Sequence, residues 1–290
     1  MHRNSKKYLL LFIILAFSFI YRVMLMLWAN FPPGADIGLH NSVIHSITPL
    51  GNVDFLWNNY QMGGGLSLTF PGYHIFVAQV ILFSGLPDFL AHTLVVALFS
   101  ALIVACAFLI TRKIWSESAA FVVAFLVAVS RFDIEMLLWG GYPNVITLML
   151  IPLVFYMFLQ SKRFSLSIFL ISASLLCGTL FLTHSLSALV FDGTVFVIVV
   201  FAAIFSKQLG VTKKRLTLWL VPLSFGALII LPFLVNAAPA YLGANSGTFT
   251  GGVSDIRDAL LSTRILPWEL LAPLAGCVIL FFLYSKDYKG

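Results

Sequence analysis

The chain has 290 residues, of which 60% are hydrophobic and only 10% are charged, and its mean hydropathy is +1.01. This composition lies far from that of soluble globular domains and is the opposite of that of disordered chains. It excludes a soluble enzyme and indicates an integral membrane protein, because lipid must solvate most of the apolar side chains. The net charge of +6 does not require a nucleic-acid partner, since the positions of the basic residues account for it.

Apolar runs of about 17 to 25 residues are long enough to cross ~30 Å of hydrocarbon as helices. The first run follows the basic segment MHRNSKK and no small-residue cleavage site comes after it, so we expect an uncleaved signal anchor. The whole chain, residues 1–290, is therefore predicted to be one all-α, polytopic membrane helix bundle with about eight transmembrane helices. The predicted spans are residues 8–29, 89–111, 119–138, 143–160, 164–183, 187–206, 216–236 and 268–285.

The basic residues indicate the orientation of this bundle. Most of the 17 Lys and Arg residues fall in short loops on one side, whereas Arg131, Arg257 and Arg264 fall on the other. The positive-inside rule then predicts a multi-pass protein with a cytoplasmic N-terminus. The signal anchor without a removable presequence indicates a plasma membrane, with an endoplasmic reticulum membrane as the alternative. Two long outer loops follow from this topology, residues 30–88 and residues 237–267.

The apolar stretch from Phe70 to Gly85 does not fit this alternation as a ninth span, because it would move every later basic loop to the outer side. We predict that it forms a short interfacial helix within the first outer loop. A genuine short span is the alternative.

The first outer loop begins with the sequence FPPGADIGLH. Pro33 and Gly34 end the first span, and a short helix can restart after them with Asp36 and His40 on one face. A carboxylate just outside the bilayer could act as a general base or hold a metal ion together with His40. Alternatively, Asp36 only caps this helix.

An acidic pair, Asp133 and Glu135, follows the third predicted span in the sequence RFDIEMLLWGGYPN. Such a pair could coordinate a divalent cation or position an amine or hydroxyl group. Solvated charges at a helix exit are the alternative. Two acidic loops on the same predicted face favour the functional interpretation.

Four further residues are candidates for substrate binding. Tyr73 and His74 follow a Pro-Gly turn and could line an interfacial pocket, or be a belt tyrosine and a solvated histidine. His184 lies at the end of a span, where ionisable groups are costly and often functional. Arg22, near the outer end of the first span, suits an anionic headgroup, with snorkelling as the alternative.

The order of these motifs resembles the membrane half of the GT-C glycosyltransferases, which include oligosaccharyltransferases, protein O-mannosyltransferases and aminoarabinose transferases. The matching features are the PPGADIGLH loop, the TFPGYH segment before the next span and the acidic pair after the third span. The resemblance covers roughly residues 8–200. It implies an inverting transfer of a sugar from a polyprenyl-phosphate or polyprenyl-diphosphate donor to an acceptor on the extracytoplasmic face.

By this resemblance, Asp36 corresponds to a catalytic base or metal ligand, and Asp133 and Glu135 to a second acidic motif. Mg²⁺ or Mn²⁺ bound by these three carboxylates is implied as a cofactor. The leaving phosphate is expected to meet cations or donors from Arg22, His74, His184 and Arg264. His40 and Tyr73 are further candidates for substrate binding.

Family members typically have more spans and often a soluble C-terminal domain, so the resemblance leaves three alternatives, a fragment, a short family member or an inactive relative. The sequence has no WWD-like motif, and protein N-glycosylation is therefore not expected. Two other functions stay open. A transporter or flippase would show inverted repeats and charges near the bilayer centre. A non-catalytic scaffold would tolerate loss of its acidic residues.

Overall fold

The computed structural model describes residues 2–28, 32–56, 61–62, 65–66, 70–209 and 212–243. The described chain is helical apart from a two-stranded hairpin, β1 (Gln61–Met62) with β2 (Gly65–Leu66), and two short 3₁₀ turns. The helices are α1 (His2–Met26), α2 (Ile37–Leu50), α3 (Gly72–Ser84), α4 (Asp88–Ile114), α5 (Glu117–Ala128), α6 (Phe132–Trp139), α7 (Tyr142–Leu159), α8 (Leu166–Thr183), α9 (Ser185–Ile204), α10 (Ser206–Leu209) and α11 (Lys213–Gly243). The prediction of an all-α polytopic membrane bundle is confirmed.

Six helices of the described chain are long and apolar enough to cross a membrane, and each coincides with a predicted span. They are Tyr8–Met26, Asp88–Ile114, Tyr142–Leu159, Leu166–Thr183, Ser185–Ile204 and Leu216–Asn236. The predicted span 268–285 lies outside the described residues. α11 continues as a helix to Gly243, past the end of the predicted span, and the placement of residues 237–267 in an outer loop stays a prediction.

The prediction of one continuous span over residues 119–138 is wrong. The structure has α5 and α6 instead, separated by a break at residues 129–131. The 12 residues of α5 rise only about 18 Å, which is less than the ~30 Å of a bilayer core. The carbonyl of Ala128 accepts a hydrogen bond from the Arg22 guanidinium at 2.9 Å, so a side chain from α1 binds the last carbonyl of α5. The hydrophobicity of residues 119–138 does not reveal this contact between α1 and α5.

Residues 30–88, the predicted first outer loop, contain two α-helices, as the sequence predicted. α2 begins after Asp36, and α3 extends for 13 residues, too short to cross the bilayer. Gly51 and Gly85 end these helices with φ angles of 65° and 68°, the left-handed conformation that glycine adopts most readily. The predicted short helix at residues 70–85 is therefore confirmed, while its interfacial depth stays a prediction.

The outer-loop helices pack onto the long helices through one apolar core. α2 packs on α3, and α3 packs on α4, α7 and α8. α8 also lies very close to α11, because a Cβ at Gly226 would be only 2.7 Å from the Cβ of Cys177. Small residues at this crossing let the two helix backbones approach each other, as is common between membrane helices.

Candidate functional site

A half-open pocket of about 230 Å³ lies where the ends of several helices meet. Most of its wall consists of first-turn residues of α2, α3, α7 and α9, so four helix N-termini face the same space. First-turn backbone N–H groups have no partner inside their own helix and carry partial positive charge. The lining residues are Asp36, Leu39, His40, Phe70, His74, Trp139, Gly141, Pro143, Asn144, Thr183, His184 and Ser185.

Two glycine-containing loops meet beside this pocket. Gly34 (φ 129°) lies so close to Gly140 (φ 93°) that a Cβ at Gly34 would be 2.5 Å from the Gly140 backbone. Ala35 N–H donates to Trp139 O at 2.9 Å. Tyr142 O–H donates to Pro33 O at 3.0 Å. The PPGAD and WGGYPN segments, more than 100 residues apart, are therefore held together as one unit.

Asp36 occupies the N-cap position of α2 and is partly exposed to the pocket. Its side chain makes no capping hydrogen bond. The interpretation of Asp36 as a helix cap alone is therefore not what the structure has. The carboxylate lines the pocket instead, four residues before His40, which lines it too.

His40 and His74 form a buried pair, with His40 Nδ1 2.9 Å from His74 Nε2. Each other ring nitrogen lies near a backbone carbonyl, His40 Nε2 3.0 Å from Gly140 O and His74 Nδ1 3.2 Å from Phe70 O. Carbonyls only accept, so full satisfaction of all three contacts needs three protons on two rings. The neutral pair has only two ring protons, so one of the three contacts has no proton to form a hydrogen bond.

Burial lowers the pKa of His40, although its hydrogen bond to the Gly140 carbonyl and the nearby Asp36 carboxylate act in the opposite direction. Burial, with repulsion from His40, lowers the pKa of His74 well below its usual value. Both effects favour the neutral pair at pH 7. The pair can therefore gain one proton next to Asp36 at an energetic cost.

The hydrogen bonds of His184 determine which of its two ring nitrogens carries the proton. It is the N-cap of α9, and its Nδ1 accepts the backbone N–H of Ser187 at 3.2 Å. Burial lowers the pKa of His184, which keeps the ring neutral. With Nδ1 as acceptor, the proton of the neutral ring must be on Nε2. His184, which lines the pocket, thus carries a hydrogen-bond donor on Nε2.

Tyr73 does not line this pocket. It is fully buried, and burial raises the pKa of its phenol well above 10. Its hydroxyl is hydrogen-bonded to His92 Nδ1 on α4. Tyr73 lines a second, mainly apolar cavity of about 290 Å³ between α3, α4, α7 and α8. The two cavities share Thr183 in their walls.

The structure places Arg22 and Asp133 together, away from the pocket lining. Arg22 Nε and Nη2 bind the two Asp133 carboxylate oxygens at 2.8 and 3.0 Å. Nη1 donates to Ser18 and to Ala128 O, and the Ser100 hydroxyl contacts both members of the pair. The two side chains are 0% and 3% exposed. Arg22 joins α1 to α4, α5 and α6, and each of its three guanidinium nitrogens has a protein partner.

Glu135 has different surroundings from Asp133. Its carboxylate is 64% exposed and pairs with Arg131 at 3.0 Å, one helical turn away. Within the described part of the chain, no group of three or more His, Cys, Asp or Glu side chains is arranged to hold a metal ion. Asp36, Asp133 and Glu135 therefore do not form the three-carboxylate metal site that the sequence predicted. Mg²⁺ or Mn²⁺ binding stays a prediction, and Arg264 lies outside the described residues.

The sequence interpretation missed Trp139, Gly140, Gly141 and Asn144 as site residues. They lie in the WGGYPN segment, where two consecutive glycines between an aromatic residue and a proline were the available signal. Their role depends on the contact between Gly34 and Gly140. One sequence without structure does not reveal a contact over this separation.

No protein-family model matches the chain, and no curated protein matches it. One solved structure with a similar fold is the archaeal oligosaccharyltransferase AglB from Archaeoglobus fulgidus, in complex with an inhibitory peptide and a dolichol-phosphate. The TM-score is 0.57 at 17% sequence identity. The match covers 99% of this chain and 38% of that chain. At this identity the likeness concerns the fold, and the chain spans well under half the length of the protein it matches.

Proposed function

We propose that the protein is a membrane glycosyltransferase that transfers a sugar from a polyprenyl-phosphate or polyprenyl-diphosphate donor to an acceptor on the extracytoplasmic face. The observation that carries this proposal is the pocket, in which the Asp36 carboxylate makes no capping hydrogen bond and lies among the N-terminal ends of α2, α3, α7 and α9. The similarity in fold to an oligosaccharyltransferase supports it.

Anion binding is the first task that the pocket suits. Helix N-termini attract phosphate through their N–H groups and their positive dipole ends. The carbonyls of Trp139 and Gly140, at the end of α6, are already taken by Ala35 and His40. The donor proton on His184 adds to the attraction for an anion. A prenyl phosphate leaving group would therefore be stabilised here as its charge develops.

Proton removal is the second task, and Asp36 is the candidate base. An acceptor hydroxyl or amine attacks the anomeric carbon of the donor sugar and gives its proton to the Asp36 carboxylate. The bond between the anomeric carbon and the phosphate oxygen breaks, and the phosphate keeps the electron pair. The configuration at the anomeric carbon inverts. No step uses a metal ion.

A place for the prenyl chain is the third requirement. The apolar cavity lined by Tyr73 adjoins the pocket at Thr183, and exposed apolar side chains cover the outer faces of the long helices. Either surface keeps a hydrocarbon chain out of water, as in lipid.

A transporter or flippase is the second candidate, favoured by the Arg22–Asp133 pair, because buried charges within membrane bundles often mark ion or substrate paths. The pair does not line either of the two cavities described above. A scaffold without chemistry is the third candidate. The experiment below distinguishes both from the enzyme.

The test is sugar transfer by the full chain in nanodiscs, with labelled dolichyl phosphate mannose and dolichyl phosphate glucose as donors and a panel of small alcohols as acceptors. We expect wild-type protein to release dolichyl phosphate, and Asp36→Asn to lower the rate by about 10²- to 10⁴-fold. Asp54→Asn is the matched control, because Asp54 is an exposed carboxylate of the same loop. Full activity of Asp36→Asn would refute Asp36 as the base. Movement of intact donor across the bilayer, without cleavage, would favour the flippase.

A further inference from the structure

Trp139 is an exposed aromatic side chain in the wall of the polar pocket. It is the last residue of α6, 56% of its surface is exposed, and it lines the pocket together with Asp36. Trp28 and Trp115 are also exposed, at 88% and 61%, but they do not line this pocket. A general preference of tryptophan for the membrane interface explains exposure but not this position.

Asn144 adds a polar group next to this ring. It lies in the first turn of α7, and its Oδ1 is shielded from solvent without a hydrogen-bond partner among the described residues. A Cβ at Gly141 would lie 3.4 Å from Asn144 Nδ2 and 3.4 Å from Trp139 Cε3. The indole and the amide therefore both border the space beside Gly141, where the missing side chain leaves room. An orphaned buried amide oxygen is costly unless a ligand satisfies it.

The chemistry of these two groups differs from that of the helix N-termini. The face of an aromatic ring carries partial negative charge, so it disfavours a phosphate and favours weakly positive C–H groups. A pyranose ring offers such C–H groups on its flat face and hydroxyl groups around its edge. The hydroxyl groups can satisfy the amide of Asn144.

The position of Trp139 relative to Asp36 is fixed by the backbone. Ala35, the neighbour of Asp36, donates its N–H to the carbonyl of Trp139 at 2.9 Å. A ring stacked on Trp139 would lie beside the candidate base. We propose that Trp139 and Asn144 form the subsite for the sugar ring of the donor, an inference that rests on the proposed function.

The test compares two ligands that differ only in the sugar, dolichyl phosphate and dolichyl phosphate mannose, by equilibrium binding to the full chain in nanodiscs. We expect Trp139→Ala to weaken binding of the mannosylated ligand by about 3- to 10-fold and to leave dolichyl phosphate binding unchanged. Trp139→Phe should retain most of the affinity. Asn144→Ala should show the same selective loss, because a hydroxyl group loses its partner.

Trp115→Ala is the matched control, since it removes an exposed tryptophan that does not line the pocket. Its affinity for both ligands should equal that of the wild type, and all variants should keep the wild-type melting temperature. Equal weakening of both ligands by Trp139→Ala, or no weakening of either, would overturn the sugar subsite. If wild-type protein binds neither dolichyl phosphate nor its mannose or glucose derivative, the proposed function is refuted together with the subsite.

Discussion

The pocket at Asp36 and the buried cluster at Arg22 both contain a carboxylate, yet their surroundings differ. The Asp133 side chain is 3% exposed and has two guanidinium hydrogen bonds, whereas Asp36 is partly exposed and makes no capping bond. A carboxylate whose partners are all supplied by the protein stabilises the packing of the helices. A carboxylate without them is available to a ligand. Mutations at the two sites should therefore affect different measurements.

The first prediction concerns folding at the Arg22 cluster. Asp133→Ala leaves a buried guanidinium without its counter-ion, which typically costs ~3–5 kcal/mol. We expect a large fall in the apparent melting temperature in detergent. Arg22→Met combined with Asp133→Leu should recover most of this loss, because no unpaired charge is left.

Glu135→Ala is the control for this prediction. The Arg131–Glu135 pair is largely exposed. Loss of an exposed i,i+4 pair changes stability by at most ~0.5 kcal/mol. If Glu135→Ala destabilises the protein as much as Asp133→Ala does, burial does not separate the two carboxylates as we describe.

The second prediction concerns the contact between the two loops beside the pocket. Gly34→Ala places a Cβ 2.5 Å from the Gly140 backbone at a φ of 129°, and neither backbone can accommodate it without moving. Backbone strain of this kind costs ~1–3 kcal/mol. We expect a lower melting temperature and a loss of transferase activity greater than the loss of stability explains, because Asp36 and Trp139 are no longer held together.

Gly38→Ala is the matched variant in the same segment. Gly38 lies inside α2, and nothing is within 4 Å of the position of its Cβ. Because Gly38 lies in the first turn, alanine should stabilise this helix by less than the ~0.5–1 kcal/mol of a helix interior, without change in activity. Normal activity of Gly34→Ala would show that the loop contact does not position the site.

The smallest effect is expected from the titration of the His40–His74 pair. Because burial lowers both pKa values, the folded state binds fewer protons than the unfolded state. The resulting stability is present above the unfolded histidine pKa of ~6.5 and is lost as the pH falls towards the lowered values. We expect the melting temperature to fall between pH ~7.5 and pH ~5.5, and His74→Gln to reduce this dependence.

The titratable groups around the pair are Asp36 on the α2 side, His92 on α4, Tyr73 on α3 and Tyr142 on α7. His45→Gln is the control, because the His45 side chain on α2 is 65% exposed. A pH dependence that His74→Gln leaves unchanged, or that His45→Gln removes equally, would contradict the assignment to the buried pair.

Periodicity and composition predicted most of the fold, since apolar runs of bilayer length have few alternatives to a membrane helix. They failed at residues 119–138, where Arg22 binds the carbonyl of Ala128. For the site, Asp36, His40, His74 and His184 were predicted and do line one pocket. Asp133 was predicted from the same kind of evidence, an acid near a span end, and it lies in the buried cluster instead.

The sequence by itself determined that the chain lies in a membrane, where its long helices run and which polar residues interrupt them. These properties depend on hydrophobicity and on spacing along the chain, which are local. Only the tertiary structure decided which polar residues have protein partners and which face open space. That outcome depends on contacts between segments far apart in the sequence, such as Gly34 with Gly140 and Arg22 with Asp133. The free energy of a buried polar group is set by these partners and not by its own residue type.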